Sequence, residues 1–254
     1  MPCALNLFCG CHLGTSSMEP ASQQYDAGAF SQVPRRATMS NFTKRLLDRG
    51  QEIWDAILNH RFLKMTADGS IPDETFKNWI QQDYFFVQEA IPFIAILLAK
   101  APFNLRSAFI EILSALDREL EMFRKNAASH KVELENVTPS PTCYGYNQFL
   151  LSTAHNNSFA EGFTVLYAAE KVYLDSWMAV KNNLKIHSPW QAFIDNWTNA
   201  EFQQFVDWLA STLDELAAGK PEHELRKMEE LFLTTARYEY LFWEMAASEE
   251  TWPV

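Results

Sequence analysis

Residues 158–177 read SFAEGFTVLYAAEKVYLDSW. Ser158 with Glu161 three positions on is a capping box, in which the two side chains satisfy backbone N–H groups that a helix start leaves orphaned. Beyond it, Phe163, Leu166, Tyr167, Tyr173, Leu174 and Trp177 recur at helical spacing and share their stripe with Glu170. The pattern occurs twice more. Asp83 lies among Phe76, Trp79, Phe86, Val87 and Ala90, and Glu239 among Phe232, Thr235, Phe242, Trp243 and Ala246. Burying an ionised carboxylate is costly unless it is paired or its pKa rises. Three such acids on apolar stripes indicate a polar site inside an aromatic-rich helical core. The alternative is that each acid pairs with a basic neighbour, for which Lys171 and Arg237 stand near.

Outward from this stretch the helical pattern continues. A first helix is expected from about Asn41 to His60, with His60 serving the dipole at its C-terminal end. After a turn through Asp68, Gly69 and Pro72, Asp73 can cap a helix running through Ala99 and kinked at Pro92. Leu105 to Ser129 is amphipathic, and Ser140 with Pro141 opens a fourth helix. Thr198 to Glu201 resembles a second capping box, and Pro221 opens a last helix that ends near Ala247. Only 8 glycines occur in 254 residues, and few segments are dense in Val, Ile and Thr. The expectation is one all-α domain, a multi-helix bundle of seven or more helices, over residues 39–254. Residues 1–38 lack periodicity and are expected to be a disordered N-terminal extension, or to precede a true start at Met39. They carry no basic region of a secretory signal.

Composition excludes several classes. A net charge of −11 without a basic block disfavours nucleic acid and anionic membranes as partners. The longest apolar run, Ile91 to Ala99, falls short of the ~20 residues of a spanning helix, so a soluble cytoplasmic protein is expected. Cys3, Cys9 and Cys11 crowd the start and leave Cys143 alone in the body, which suits a reducing compartment. Cys9, Cys11 and His12 lack zinc-ligand spacing, and no second cluster answers them. No glycine-rich dinucleotide loop, phosphate loop or nucleophile elbow is present. None of the six histidines follows a glutamate by three residues, as a di-iron helical bundle requires. No metal and no cofactor are expected. Tyr144, Tyr146, Tyr167, Tyr173 and Tyr240 supply hydroxyls near the acids, and such a mixture of ring faces and acceptors suits a flat heteroaromatic ligand.

Several blocks together resemble the TenA/thiaminase II family. They are His60–Leu63, Asp68–Pro72, Gln82–Tyr84, Pro139–Tyr146, Phe159–Glu161 and Tyr238–Trp243, in that order across 41–250. The resemblance implies a haem-oxygenase-like fold, a homo-oligomer (dimer or tetramer) and salvage of the pyrimidine half of thiamin. It assigns Asp83 to the ring amino group, Phe86 to stacking, Tyr173 and Trp197 to substrate contact, and Glu239 to acid/base work, with Tyr144 a further candidate polar contact to the substrate. Where cysteine-type members carry the nucleophile this chain has Ala169, with Glu170 beside it. Glu170 therefore resembles the glutamate of the cysteine-lacking branch. The expected activity is hydrolysis of 4-amino-5-aminomethyl-2-methylpyrimidine or its N-formyl form, with Glu239 and Glu170 catalytic. The competing expectations are a pyrimidine-binding or regulatory protein on the same fold, and thiaminase II cleavage of thiamin.

Overall fold

Helix α6, Phe159–Asn182, is buried on every side along its first half, from Ala160 to Ala168. A helix that sheds its polar face in this way belongs at the centre of a bundle, and here α6 packs against most of the other helices. The computed structural model describes residues 42–254, so the expectations for residues 1–38 lie outside the described residues. The helices before α6 are α1 Phe42–Leu58, α2 Arg61–Asp68, α3 Asp73–Lys100, α4 Arg106–His130 and α5 Pro141–Asn156. After it come α7 Gln191–Asn196, α8 Ala200–Ala217 and α9 Glu222–Ser248. Among the described residues the structure is helical, with no strand.

Helices α9, α8, α2, α1, α5 and α3 all pack on α6, α9 also touches α3 and α5, and α4 is laid along α3. Gly162 permits the contact of α6 with α3, because a Cβ there would run into Leu97. Ser158 and Glu161 form the reciprocal capping box anticipated from the sequence, with Ser158 N–H donating to Glu161 at 2.7 Å. Ser140 caps α5 through the Cys143 N–H, with Pro141 at the first helical position.

Three local expectations are corrected: the end of the first helix, the cap of α8, and the cap of α3, where Asp73 is the first helical residue and Pro72 precedes it with no side-chain cap. The first helix stops at Leu58, and His60 caps the start of α2, its Nδ1 accepting from the Phe62 N–H. Helices α2 and α7 span 8 and 6 residues, too short to show a 3.6-residue period. Pro92 sits inside α3 without ending it; both Pro92 and Gln88, whose carbonyl loses its partner, face solvent. Asn199, not Thr198, caps α8 through the Phe202 N–H at 2.8 Å, while the Thr198 hydroxyl donates to the Ile194 carbonyl.

By length and composition alone α3 is apolar enough to cross a membrane. Its buried residues, with Asp83 in their midst, instead pack against α4, α5 and α9. Gln82 fixes the loop before α5 to this helix, accepting from the Ser140 N–H at 2.8 Å and donating to the Thr138 carbonyl at 3.2 Å.

Candidate active site

Asp83 on α3 and Tyr173 on α6 meet in the core. Asp83 is fully buried, and the Tyr173 hydroxyl donates to its Oδ1. Its Oδ2 is buried and takes no hydrogen bond from the protein. Burial pushes the Asp83 carboxyl well above the usual carboxylate range; the Tyr173 hydrogen bond opposes this, and the charge of Glu119 adds to it.

Helices α5 and α9 repeat the arrangement. The Tyr146 hydroxyl donates to Glu239 Oε1 at 2.5 Å, and the buried Glu239 Oε2 is left without a protein partner. Desolvation raises the Glu239 carboxyl strongly; Tyr146 opposes the rise, and Asp83 and Glu170 add to it. The site thus holds two acid–phenol pairs, each leaving one carboxyl oxygen free. Phe86 packs against the second pair, with its ring 4.9 Å from that of Tyr146 and 5.4 Å from Phe242.

Glu170 and Glu119 complete the acid cluster. Each is half-buried as a residue, yet enough protein surrounds each carboxyl for desolvation to be the largest influence on it. Burial, then the charges of Glu119 and Asp83, push Glu170 up to about 8. Burial lifts Glu119 to about 7, and the polar edge of the Trp197 side chain opposes the rise. Trp197 stacks on Trp177 at 5.4 Å and meets Tyr173 edge-on at 5.4 Å. Four carboxyls on four helices are therefore linked by charge, Asp83 with Glu119, Glu170 with both, and Glu239 with Asp83 and Glu170, in a region with aromatic rings around it.

Six of the seven residues singled out from the sequence come together here: Asp83, Phe86, Glu170, Tyr173, Trp197 and Glu239. Tyr144 does not. It is half exposed and packs edge-on against Trp252, 6.3 Å between rings, because two residues along a helix of 3.6 per turn lead about 200° round it, away from the inward stripe of Tyr146. Tyr146 supplies the inward hydroxyl of that block. The acids' hydrogen-bond partners are phenols, and Lys171 pairs with Asp175 at 2.6 Å. Cys143 is buried, raised by desolvation, and donates its thiol weakly to the Gln82 carbonyl. Among the described residues no three His, Cys, Asp or Glu side chains converge as a metal site.

Glu119 is the residue that sequence reasoning missed. It stands three residues after Leu116 and four before Phe123, both buried, so the stripe argument applied to it. Its neighbours Asp117, Arg118 and Glu121 make it look like part of a solvated charged face.

The all-α bundle that holds this site is similar in fold to solved structures. A domain of haem-oxygenase-like fold from Shewanella denitrificans superposes with a TM-score of 0.67 at 15% identity, covering 82% of this chain and 94% of that one. The TENA/THI-4/PQQC family model matches residues 47–249, and the chain belongs to that family. A TenA homologue from Pyrococcus furiosus is 38% identical, with a TM-score of 0.79 over 81% of this chain and 99% of its own. The aminopyrimidine aminohydrolase of Halalkalibacterium halodurans is 29% identical over 84% of this chain and 98% of its own length.

Proposed function

We propose that this protein is an aminopyrimidine aminohydrolase of thiamin salvage, of the type that uses glutamate where other members use cysteine. The observation that carries the reading is the pair of buried carboxyls, each held through one oxygen by a tyrosine and free at the other. A relative of near-complete coverage that bears this activity in its name supports it.

The substrate is 4-amino-5-aminomethyl-2-methylpyrimidine, with the N-formyl form as a second candidate. Asp83 accepts from the ring amino group through its free oxygen, and Phe86 and Trp197 bound the ring. In the reaction the methylene C–N bond breaks, a C–O bond to water forms, and ammonia leaves. Glu239, whose carboxyl holds its proton well above the usual range, gives that proton to the departing amine. Glu170 takes a proton from the attacking water. Two carboxyls whose surroundings differ can divide the acid and base roles in this way. Transfer of one proton by a positioned group contributes about 10²–10⁴-fold to the rate. We place the enzyme in the cytoplasm as a soluble homo-oligomer, with this small molecule as its partner.

Incubation of purified protein with the aminomethylpyrimidine should release ammonia and form the hydroxymethyl product in equal amounts. Tight retention of the pyrimidine with no ammonia would identify a binding or regulatory protein instead.

A further inference from the structure

Helix α9 takes hold of Tyr146 at two points. Glu239 accepts from its hydroxyl at 2.5 Å. The preceding residue, Tyr238, lays its ring on that of Tyr146, with centroids 5.0 Å apart and planes 4° from parallel. Consecutive residues stand about 100° apart round a helix, so a carboxyl and the ring beside it can reach one α5 side chain together. The stack continues on α5, where Phe149 packs on Tyr238 at 5.2 Å. Tyr238 and Phe149 are half-buried and Tyr146 is buried, so the stack runs from the phenol toward solvent. From α3, Phe86 packs on Tyr146 at 4.9 Å. The scheme above makes no use of Tyr238.

We propose that Tyr238 is a positioning residue for the proton of Glu239: its ring holds the Tyr146 phenol where the hydroxyl donates to Oε1, and this confines the transferable proton to Oε2. The acid role of Glu239 rests on the function proposed above; the grip on Tyr146 does not. Burial favours the neutral form of Glu239, and a neutral carboxyl can carry its proton on either oxygen. Here the Tyr146 hydrogen occupies Oε1, while Oε2 is buried with no protein partner, so the proton stands on the oxygen that is free to give it away. The torsion of a phenol ring about its Cβ–Cγ bond is soft, and an offset-stacked neighbour resists its turning. The Tyr238 ring thus acts on Glu239 through Tyr146. Its face carries this role and its hydroxyl does not, so Phe should serve in its place and an aliphatic side chain should not.

Proton NMR of the free enzyme reads the phenol without substrate. A hydroxyl in a short hydrogen bond resonates far downfield, and the Tyr146 signal is the one absent from Tyr146→Phe. Tyr238→Phe should keep that signal and hold kcat within about twofold of the wild type. Tyr238→Leu should move the signal upfield and lower kcat about tenfold with KM little changed, because a reacting group that drifts loses its alignment. An unmoved signal or an unchanged kcat in Tyr238→Leu overturns the proposal, as does an equal loss in Tyr238→Phe. If Tyr238→Leu does not fold, Tyr238→Met gives the same decision. In a Tyr146→Phe background, Tyr238→Leu should cost no further kcat, since its effect runs through the hydroxyl already removed. A loss there as large as in the wild type would make Tyr238 a packing residue only. Failure of the wild type to release ammonia would overturn the functional reading and the acid role with it, while the hydroxyl signal still decides whether Tyr238 holds the phenol.

Discussion

At the scale of the residue, the site depends on carboxyls kept where water would normally ionise them. Replacing Glu239 with Gln preserves shape and removes the transferable proton, so kcat should fall by at least about a hundredfold with KM little changed. Asp83→Ala should act on binding first, raising KM, because the ring amine loses its acceptor and the Tyr173 hydroxyl its partner. Steady-state kinetics of the two variants separates these outcomes; equal effects on both constants would remove the division of roles. Ala169 bears on substrate choice. Displacement of a bulky thiazolium gains most from a covalent nucleophile, and this chain offers none on α6 at that position. Intact thiamin should therefore turn over more slowly than the aminomethylpyrimidine in a side-by-side assay.

The raised carboxyls also predict how stability depends on pH. The folded state binds protons on Glu170 up to about 8 and on Glu119 up to about 7, whereas the unfolded chain releases them near 4.5. Their contribution is fully present below pH ~4.5 and is lost as pH rises through the folded values. Glu170→Gln should accordingly be more stable than the wild type at pH 8, by about 1–3 kcal/mol after allowance for solvent at this half-buried residue. The advantage should vanish toward pH 4.5. Urea melts at the two pH values measure it, and an equal difference at both would mean that Glu170 is not desolvated in the folded enzyme.

At the scale of the element, short helices are held by specific side chains where long ones are held by packing. Helix α2 has only eight residues, and His60 serves it twice. Its Nδ1 accepts from the Phe62 N–H, while Nε2 reaches Glu244 of α9 at 3.0 Å, beside the Arg61 ion pair with the same carboxylate. Burial holds the imidazole below its usual pKa, which suits the neutral form that this capping bond requires. His60→Ala should cost about 1–2 kcal/mol, with Asn at this position recovering part of the loss through its own cap; chemical denaturation of the three proteins gives the ranking. Two long helices, α3 and α6, carry Asp83 and Tyr173, and Gly162 of α6 leaves room for the Leu97 side chain of α3.

At the scale of the whole molecule, the C-terminal segment ties together elements that carry the site. Glu249 accepts from the Thr75 hydroxyl of α3 at 2.7 Å, and Glu250 from the Thr142 N–H in the first turn of α5 at 2.9 Å. The Trp252 indole donates to the Pro139 carbonyl at 2.8 Å. A carboxylate at a helix N-terminus also complements the helix dipole. Because α5 carries Tyr146, this strap fixes the phenol that holds Glu239. Removal of residues 249–254 should lower Tm by several degrees and reduce kcat more than KM is raised. Thermal melts and kinetics of the truncated protein check both, and unchanged kcat would show that α5 keeps its place without the strap.

The residues of this chain determined a good deal before any contact was known. Helix starts at Ser140 and Ser158 are local chemistry, legible because a cap involves residues only three apart. The inward course of Asp83, Glu170 and Glu239 is likewise a matter of period, since each shares a stripe with rings that must be buried. Helices α2 and α7 were hidden because six or eight residues cannot display a period, and the cap at His60 borrows strength from Glu244, 184 residues away. Only the tertiary structure chose Tyr146 over Tyr144, brought Glu119 out of a charged run to stand beside Trp197, and set a phenol rather than a lysine or arginine against each fully buried acid. Periodicity states which way a side chain points; the partner it meets depends on how helices from distant parts of the chain are packed, and that is where the pKa values of this site are made.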